Sequence, residues 1–195
     1  MEFFTLVKSR RSVRKYKTEP VSKENILKLL DCANWAPSAS NRQPWEFLVV
    51  SGAWIKRLSE SYRDIVEKFT SNVKIKNIGN IASNKAFLRF ASDYGSAPVV
   101  VVVLVKKHSD PKEAKADLES ASAAMENFVL AAANLGLGTC WMTGPLYDEN
   151  GLHDILSIQD DKEIVAVTPL GYPEDTPKPV PRKDPNLEKK IIWLE

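Results

Sequence analysis

Apolar residues recur at helical spacing in three long stretches of the chain and crowd into shorter runs between them. Ile26, Leu27, Leu30 and Ala33 share a helical face; Ser22 is placed to cap that helix, and Pro37 forbids its continuation. A second stripe, Ile55, Leu58, Tyr62, Ile65 and Phe69, alternates steps of three and four. The third is Leu118, Ala121, Met125, Phe128, Ala132 and Leu135, in a helix that Asp110-Pro111 can start and that Gly136 and Gly138 end. Its alanines allow close helix contact, as at a domain centre or a dimer interface. A shorter helix over residues 2–9 carries Phe3, Phe4 and Val7 on one side, and another covers roughly Glu149 to Leu156.

The compact runs read as strands. "WEFLVVS" closes at Gly52, and "EIVAVTPLGY" is the last strong one. Val99 to Val105 is almost unbroken and β-branched, as expected of a strand buried on both faces. "TCWMTGP" leads out of a strand into a turn. Residues 70–96 mix apolar spots with Asn, Ser and Gly, and read as a mobile helical segment over a site. From Pro173 to Pro185 five prolines make a stiff arm that ends in Ile191, Ile192, Trp193 and Leu194, side chains that want burial. Such an arm lies across its own domain or a partner subunit. Interspersed helices and strands predict an α+β fold, a mixed central sheet flanked by helices. The expectation is a single domain over residues 1–195, with an extended C-terminal arm from about 173 and a dimer as the assembly.

Composition changes little of this. At 195 residues, with 44% hydrophobic and 27% charged positions, the chain has an ordinary soluble make-up. A net charge of +2 argues against a general nucleic-acid or membrane binder, and no apolar run is long enough to span a bilayer. The N-terminus carries its charges after the apolar stretch and does not read as a signal peptide. Cys32 and Cys140 offer no disulfide framework and suit a reduced cytoplasm. His108 and His153 lack metal-ligand spacing, and neither a GxSxG elbow nor a phosphate-binding GxxxxGK[ST] loop is present. "LGLGTCW" lacks the third glycine of a dinucleotide fingerprint and follows a helix, where that fingerprint needs a strand.

Local charge is more informative. "KSRRSVRKY" places Lys8, Arg10, Arg11, Arg14 and Lys15 within nine positions without an acid. At the end of a short helix Arg10 and Arg14 would share one face, and Ser12 would add a hydroxyl. Arginine's planar fork suits a phosphomonoester, though charge alone favours a solvated surface. "APSASNRQPWEF" brackets Ser38, Ser40, Asn41, Arg42 and Gln43 between prolines. Its neutral donors and acceptors match the pyrimidine edge of a flavin, or equally a turn whose side chains cap its own backbone.

Together, "RRSVRKY", "WAPSASNRQPWEFLVV", "GLGTCWMTGP" and "GYPEDTPKPVPRK" occur in the order and approximate spacing of the FMN-dependent nitroreductase family, which the chain resembles from about residue 8 to about 185. The first two motifs are the more specific. The resemblance implies a nitroreductase-like fold and assigns FMN contacts by position. Arg10, Arg11 and Ser12 match the residues that hold the phosphate and ribityl chain. Arg14 matches a basic position near the N1–C2 carbonyl region. Pro37, Ser38, Ala39, Ser40 and Asn41, with Gln43 nearby, match a loop that comes from the other subunit in the family. Met142, Thr143 and Gly144 match the segment beside N5. Arg182, with Lys183, matches a late basic residue that closes on the phosphate. Thr143 stands where some members have a Glu, so substrate range does not transfer. Residues 70–96 fall where segments covering the substrate vary in the family.

The resulting expectation is a homodimeric, cytoplasmic FMN oxidoreductase with flavin sites at the interface and NAD(P)H as co-substrate. A nitroaromatic, quinone or similar conjugated small molecule would be reduced by a ping-pong hydride mechanism. No side-chain acid or base is expected to be catalytic, because the chemistry belongs mainly to the cofactor. Neighbouring readings are a flavin-dependent dehalogenase and a member that consumes its own flavin in cofactor biosynthesis. A reading of another class is a non-catalytic phosphate or nucleic-acid binder. The neutral loop opposes it, since a nucleic-acid surface would want more cations and exposed aromatics there.

Overall fold

The computed structural model describes residues 1–71, 85–175, 177–178 and 181–194. Its centre is a sheet of four strands: β1 (Glu46–Ser51), β2 (Val99–Lys106), β3 (Gly138–Thr139) and β4 (Lys162–Gly171), in the order β1-β2-β4-β3. All three strand pairs are antiparallel. The parallel element of the expected mixed sheet is a single bridge, Ser12 to Thr139, at the β3 edge.

Period-two alternation in β2 decides the layering. Val100, Val102 and Leu104 enter one core cluster and Val99, Val101, Val103 and Val105 the other, so the strand is buried on both faces as its composition predicts. Each such side chain contributes about 1.5–3 kcal/mol by leaving water. The first face is covered by α3 (Ala53–Ser71), α4 (Lys85–Asp93) and α6 (Glu149–Leu156); the second by α2 (Lys23–Asn34) and the long α5 (Pro111–Asn134). Ser22 caps α2 by accepting the Asn25 N–H, and Asp110 with Pro111 starts α5.

Several expectations are corrected by packing. On α2 the wholly buried leucine is Leu29, while Leu27 is exposed, so the stripe is turned toward α5. On α5 the stripe is buried from Ala121 to Ala132, but Leu118 and Leu135 at its ends are exposed. In α1 (Phe3–Ser9) the buried residue is Leu6; Phe3, Phe4 and Val7 face outward on this single chain. Only Gly136 lies directly beyond α5, since Gly138 belongs to β3. Residues 70–96 divide into the end of α3, α4 and a turn at Tyr94–Ser96, while 72–84 and the Phe69 side chain lie outside the described residues. Among the described residues no helix is long and apolar enough to cross a membrane.

Candidate functional site

The basic stretch leaves α1 as an extended rib, not as a helical continuation. Arg10 caps α1 in extended geometry. Val13 N–H then donates to Thr139 O (2.8 Å), Tyr16 N–H to Gly95 O (2.8 Å) and Lys17 N–H to Tyr172 O (2.9 Å). Two glycines permit this approach. A Cβ on Gly138 would lie 2.6 Å from Val13, and one on Gly95, at φ +68°, would lie 2.3 Å from the Arg14 carbonyl. Val13 and Tyr16 are buried beneath the rib. Arg10, Ser12 and Arg14 nevertheless all act on Cys140, so the two arginines that helical spacing grouped on one face still converge, now from an extended backbone.

The five cations have different fates. Lys15 pairs with Glu174 at 2.8 Å, holding the start of the arm against the rib. Arg11 donates through Nη1 to the carbonyls of Lys8 (2.8 Å) and Arg10 (2.7 Å), closing the end of α1. Its buried Nε has no partner among the described residues. Arg10 and Arg14 make no ion pair with any described residue. Two neighbouring guanidiniums without a carboxylate are an electrostatic cost that an anion would relieve.

The rib meets the 142–144 segment around Cys140. Burial pushes the Cys140 thiol up; Arg14, Arg10 and a hydrogen bond with Ser12 pull the other way without reversing the shift. Met142 exchanges backbone hydrogen bonds with Val167 (both 3.1 Å) and is buried. Thr143 is exposed and opens the turn Gly144–Asp148. Gly144 lies against Tyr62 of α3, whose hydroxyl would sit 3.0 Å from a Cβ there. The Tyr62 ring stacks on Tyr94 at 5.7 Å, and burial pushes its pKa up to about 12, with Cys140 adding and Arg14 opposing. Tyr62 and Cys140 are the neighbours that sequence reasoning missed. In the sequence Tyr62 is one more member of an apolar stripe, and Cys140 an unpaired thiol.

The 37–43 loop is built differently. Ser40, Asn41 and Gln43 all have positive φ, at 51°, 55° and 48°, a strained backbone for residues with a Cβ. Ser38 Oγ accepts the Gln43 N–H (3.0 Å), and Ser120 Oγ on α5 accepts that of Ala39 (3.1 Å). Arg42 is fixed on α5, with Nη2 2.7 Å from Asp117 Oδ1 and Nη1 2.9 Å from Glu113. Pro37 and Ala39 frame a turn whose polar side chains at 40, 41 and 43 stay exposed. Among the described residues no hydrogen bond or ion pair joins this loop to the rib. Beyond its start the arm is exposed: Arg182 and Lys183 are exposed, and Trp193 and Leu194 remain 76% and 94% accessible on this chain.

Comparison with known proteins gives the family. The model of the nitroreductase family matches residues 7–172. An Archaeoglobus fulgidus protein named as an NADH dehydrogenase/NAD(P)H nitroreductase is 33% identical over 180 residues, covering 89% of this chain and 87% of that protein. The crystal structure of a BluB-like flavoprotein from Clostridium difficile 630 is 31% identical, with a TM-score of 0.73 and all of both chains covered. That of iodotyrosine deiodinase bound to FMN and 3-iodo-L-tyrosine is 28% identical, with a TM-score of 0.75, covering 94% of this chain and 96% of that one. The chain belongs to the nitroreductase family and is an oxidoreductase of it.

Proposed function

We propose that the chain is a single-domain FMN enzyme of the cytoplasm that works as a homodimer, with NAD(P)H as electron donor and a nitroaromatic, quinone or similar conjugated molecule as acceptor. The observation that carries this reading is the rib: Arg10 and Arg14, unpaired, on a backbone fixed by three neighbouring segments beside the Met142–Gly144 turn. The donor set suits FMN. Arg10 and Ser12 offer a guanidinium and a hydroxyl to a phosphate, and the same stretch carries a buried donor, Arg11 Nε, with no partner among the described residues.

A bound FMN would supply the hydride and electron transfer between NAD(P)H and the acceptor. The chain positions and polarises. Arg14 would add a fixed positive charge to the site that holds the ring. Met142, buried, and Gly144, half-buried, form a low-polarity wall, and Thr143 offers a neutral hydroxyl at its rim. No side-chain acid or base is needed. The second subunit contributes Pro37, Ser38, Ala39, Ser40, Asn41 and Gln43, consistent with the absence of bonds from this loop to the rib of its own chain. The arm brings Arg182 and Lys183 to the phosphate as its apolar end crosses to the partner.

An anaerobic visible spectrum tests the reading. Yellow protein that bleaches with NADH or NADPH is expected; colourless protein that takes up no FMN would refute it. A second reading, reductive dehalogenation of an aromatic substrate, is favoured by the likeness to the deiodinase. Halide release from a halophenol in place of nitro-group reduction would select it.

A further inference from the structure

The loop at 37–43 holds three strained residues within four positions, and something must hold them there. We propose that Asp117 is a positioning residue for the cofactor: its buried carboxylate on α5 clamps Arg42 and so sets the turn that presents Ser40, Asn41 and Gln43. The inference rests on the functional reading above, in which this loop touches the flavin.

Nε and Nη2 of Arg42 both donate to Asp117 Oδ1, at 3.1 and 2.7 Å. Nη1 reaches Glu113 Oε2, one helical turn earlier, at 2.9 Å. The other Asp117 oxygen is 2.7 Å from His108 Nε2 at the end of β2. The Asp117 side chain is only 4% exposed, so both of its oxygens are committed inside the protein. Ser120, one turn further along, accepts the Ala39 N–H and anchors the entrance of the turn as Asp117 anchors its exit. Between these fixed points the backbone has little choice.

What the clamp presents is chemically specific. Gln43 Nε2 donates to Asn41 Oδ1 at 3.0 Å, tying the two amides together. The Asn41 amino group and the Gln43 carbonyl are left without a partner among the described residues, on exposed side chains. They form an adjacent donor and acceptor held on a rigid turn. A heterocyclic imide edge, with alternating carbonyls and N–H, is the ligand class that such a pair recognises. Arg42 takes no part in that recognition, since all its nitrogens serve the clamp.

The test compares FMN dissociation constants, read by quenching of flavin fluorescence, with thermal midpoints of the apoproteins. Arg42→Lys keeps the charge but cannot bridge Asp117 and Glu113 with a fork. It is expected to weaken FMN about tenfold or more, with Asn41→Ala weakening it comparably. Asp117→Asn is expected to do the same, and the double variant to be no worse than either single, because the two groups act as one unit. A merely structural clamp would lower the thermal midpoint and leave FMN affinity within about twofold; that result overturns the inference. Arg42 lies at the surface, so Arg42→Lys carries the test if Asp117→Asn does not fold. If Arg10→Ala weakens FMN while Arg42→Lys does not, the functional reading stands and this inference falls. Wild-type protein that fails to bind FMN removes both.

Discussion

The rib at 10–16 and the loop at 37–43 are both short, polar and arginine-bearing, yet they solve opposite problems. The rib is held by its backbone, through bonds to Thr139, Gly95 and Tyr172, and its guanidiniums at 10 and 14 have no ion-pair partner among the described residues. The loop is held by its side chains: Arg42 is consumed by Asp117 and Glu113, and the backbone is bent into a left-handed turn. An arginine whose charge is already matched is a fastener, and one kept unmatched on a rigid backbone is a receptor. The same residue type therefore carries opposite meanings some thirty positions apart, and only the contacts tell them apart.

The contrast can be broken most severely at Gly95. Gly95→Ala places a Cβ against the Arg14 carbonyl in a backbone region that disfavours it, so we expect a loss of about 3 kcal/mol. For a chain of this size that is a fall of about 6–12 °C in thermal midpoint, and the displaced rib should lose FMN affinity too. Next in size is Arg10→Ala or Arg14→Ala, each expected to weaken FMN by about 10–100-fold through one charge-assisted contact. Neither should destabilise the apoprotein, since each relieves repulsion with its neighbour. Loss of stability without loss of affinity would make the rib structural.

Acid distinguishes the two arginine sets next. Burial pushes the Asp117 carboxyl up, but Arg42 and His108 outweigh it and hold the group below its ordinary range. A depressed carboxyl stabilises the fold above its unfolded value and loses that contribution as pH falls through the folded one. The stability gap between wild type and Asp117→Asn should therefore be full at neutral pH and close only in acid, below the ordinary aspartate range. Denaturant titrations at several pH values would measure it. The smallest effect is alkaline. Burial raises the phenols of Tyr16, Tyr62 and Tyr94, Tyr62 to about 12. Their contribution is complete below about pH 10, where unfolded tyrosines begin to ionise, and declines above it. Absorbance at 295 nm should show these three titrating late or on unfolding.

Much of the scaffold was legible because its signals are local. The valine run of β2, the stripe of α3, the Ser22 cap and the Asp110-Pro111 start each depend on neighbours within a few residues. The choice of Leu29 over Leu27 was not legible, because rotation of α2 is set by α5 across the fold. Nor was the extended path of the rib, where long-range bonds to Thr139 and Gly95 override the helical start. Within the site, the motifs named the rib, the loop and the turn at 142–144 as candidates. The clamp escaped, since Arg42 and Asp117 stand 75 residues apart and nothing in either neighbourhood names the other. Phe3 and Phe4 on one side of α1, and Trp193 at the arm's tip, want burial from their chemistry but are exposed on the single chain, as an apolar surface awaiting a partner would be.

The central claim is that the rib, through the unmatched Arg10, receives a phosphate attached to a flavin. Titrating the apoprotein with FMN and, separately, with riboflavin tests it directly, because the two differ only in the phosphate. We predict that FMN binds at least about tenfold more tightly than riboflavin, and that Arg10→Ala removes most of the difference. Equal affinity for the two, unchanged by Arg10→Ala, would contradict it.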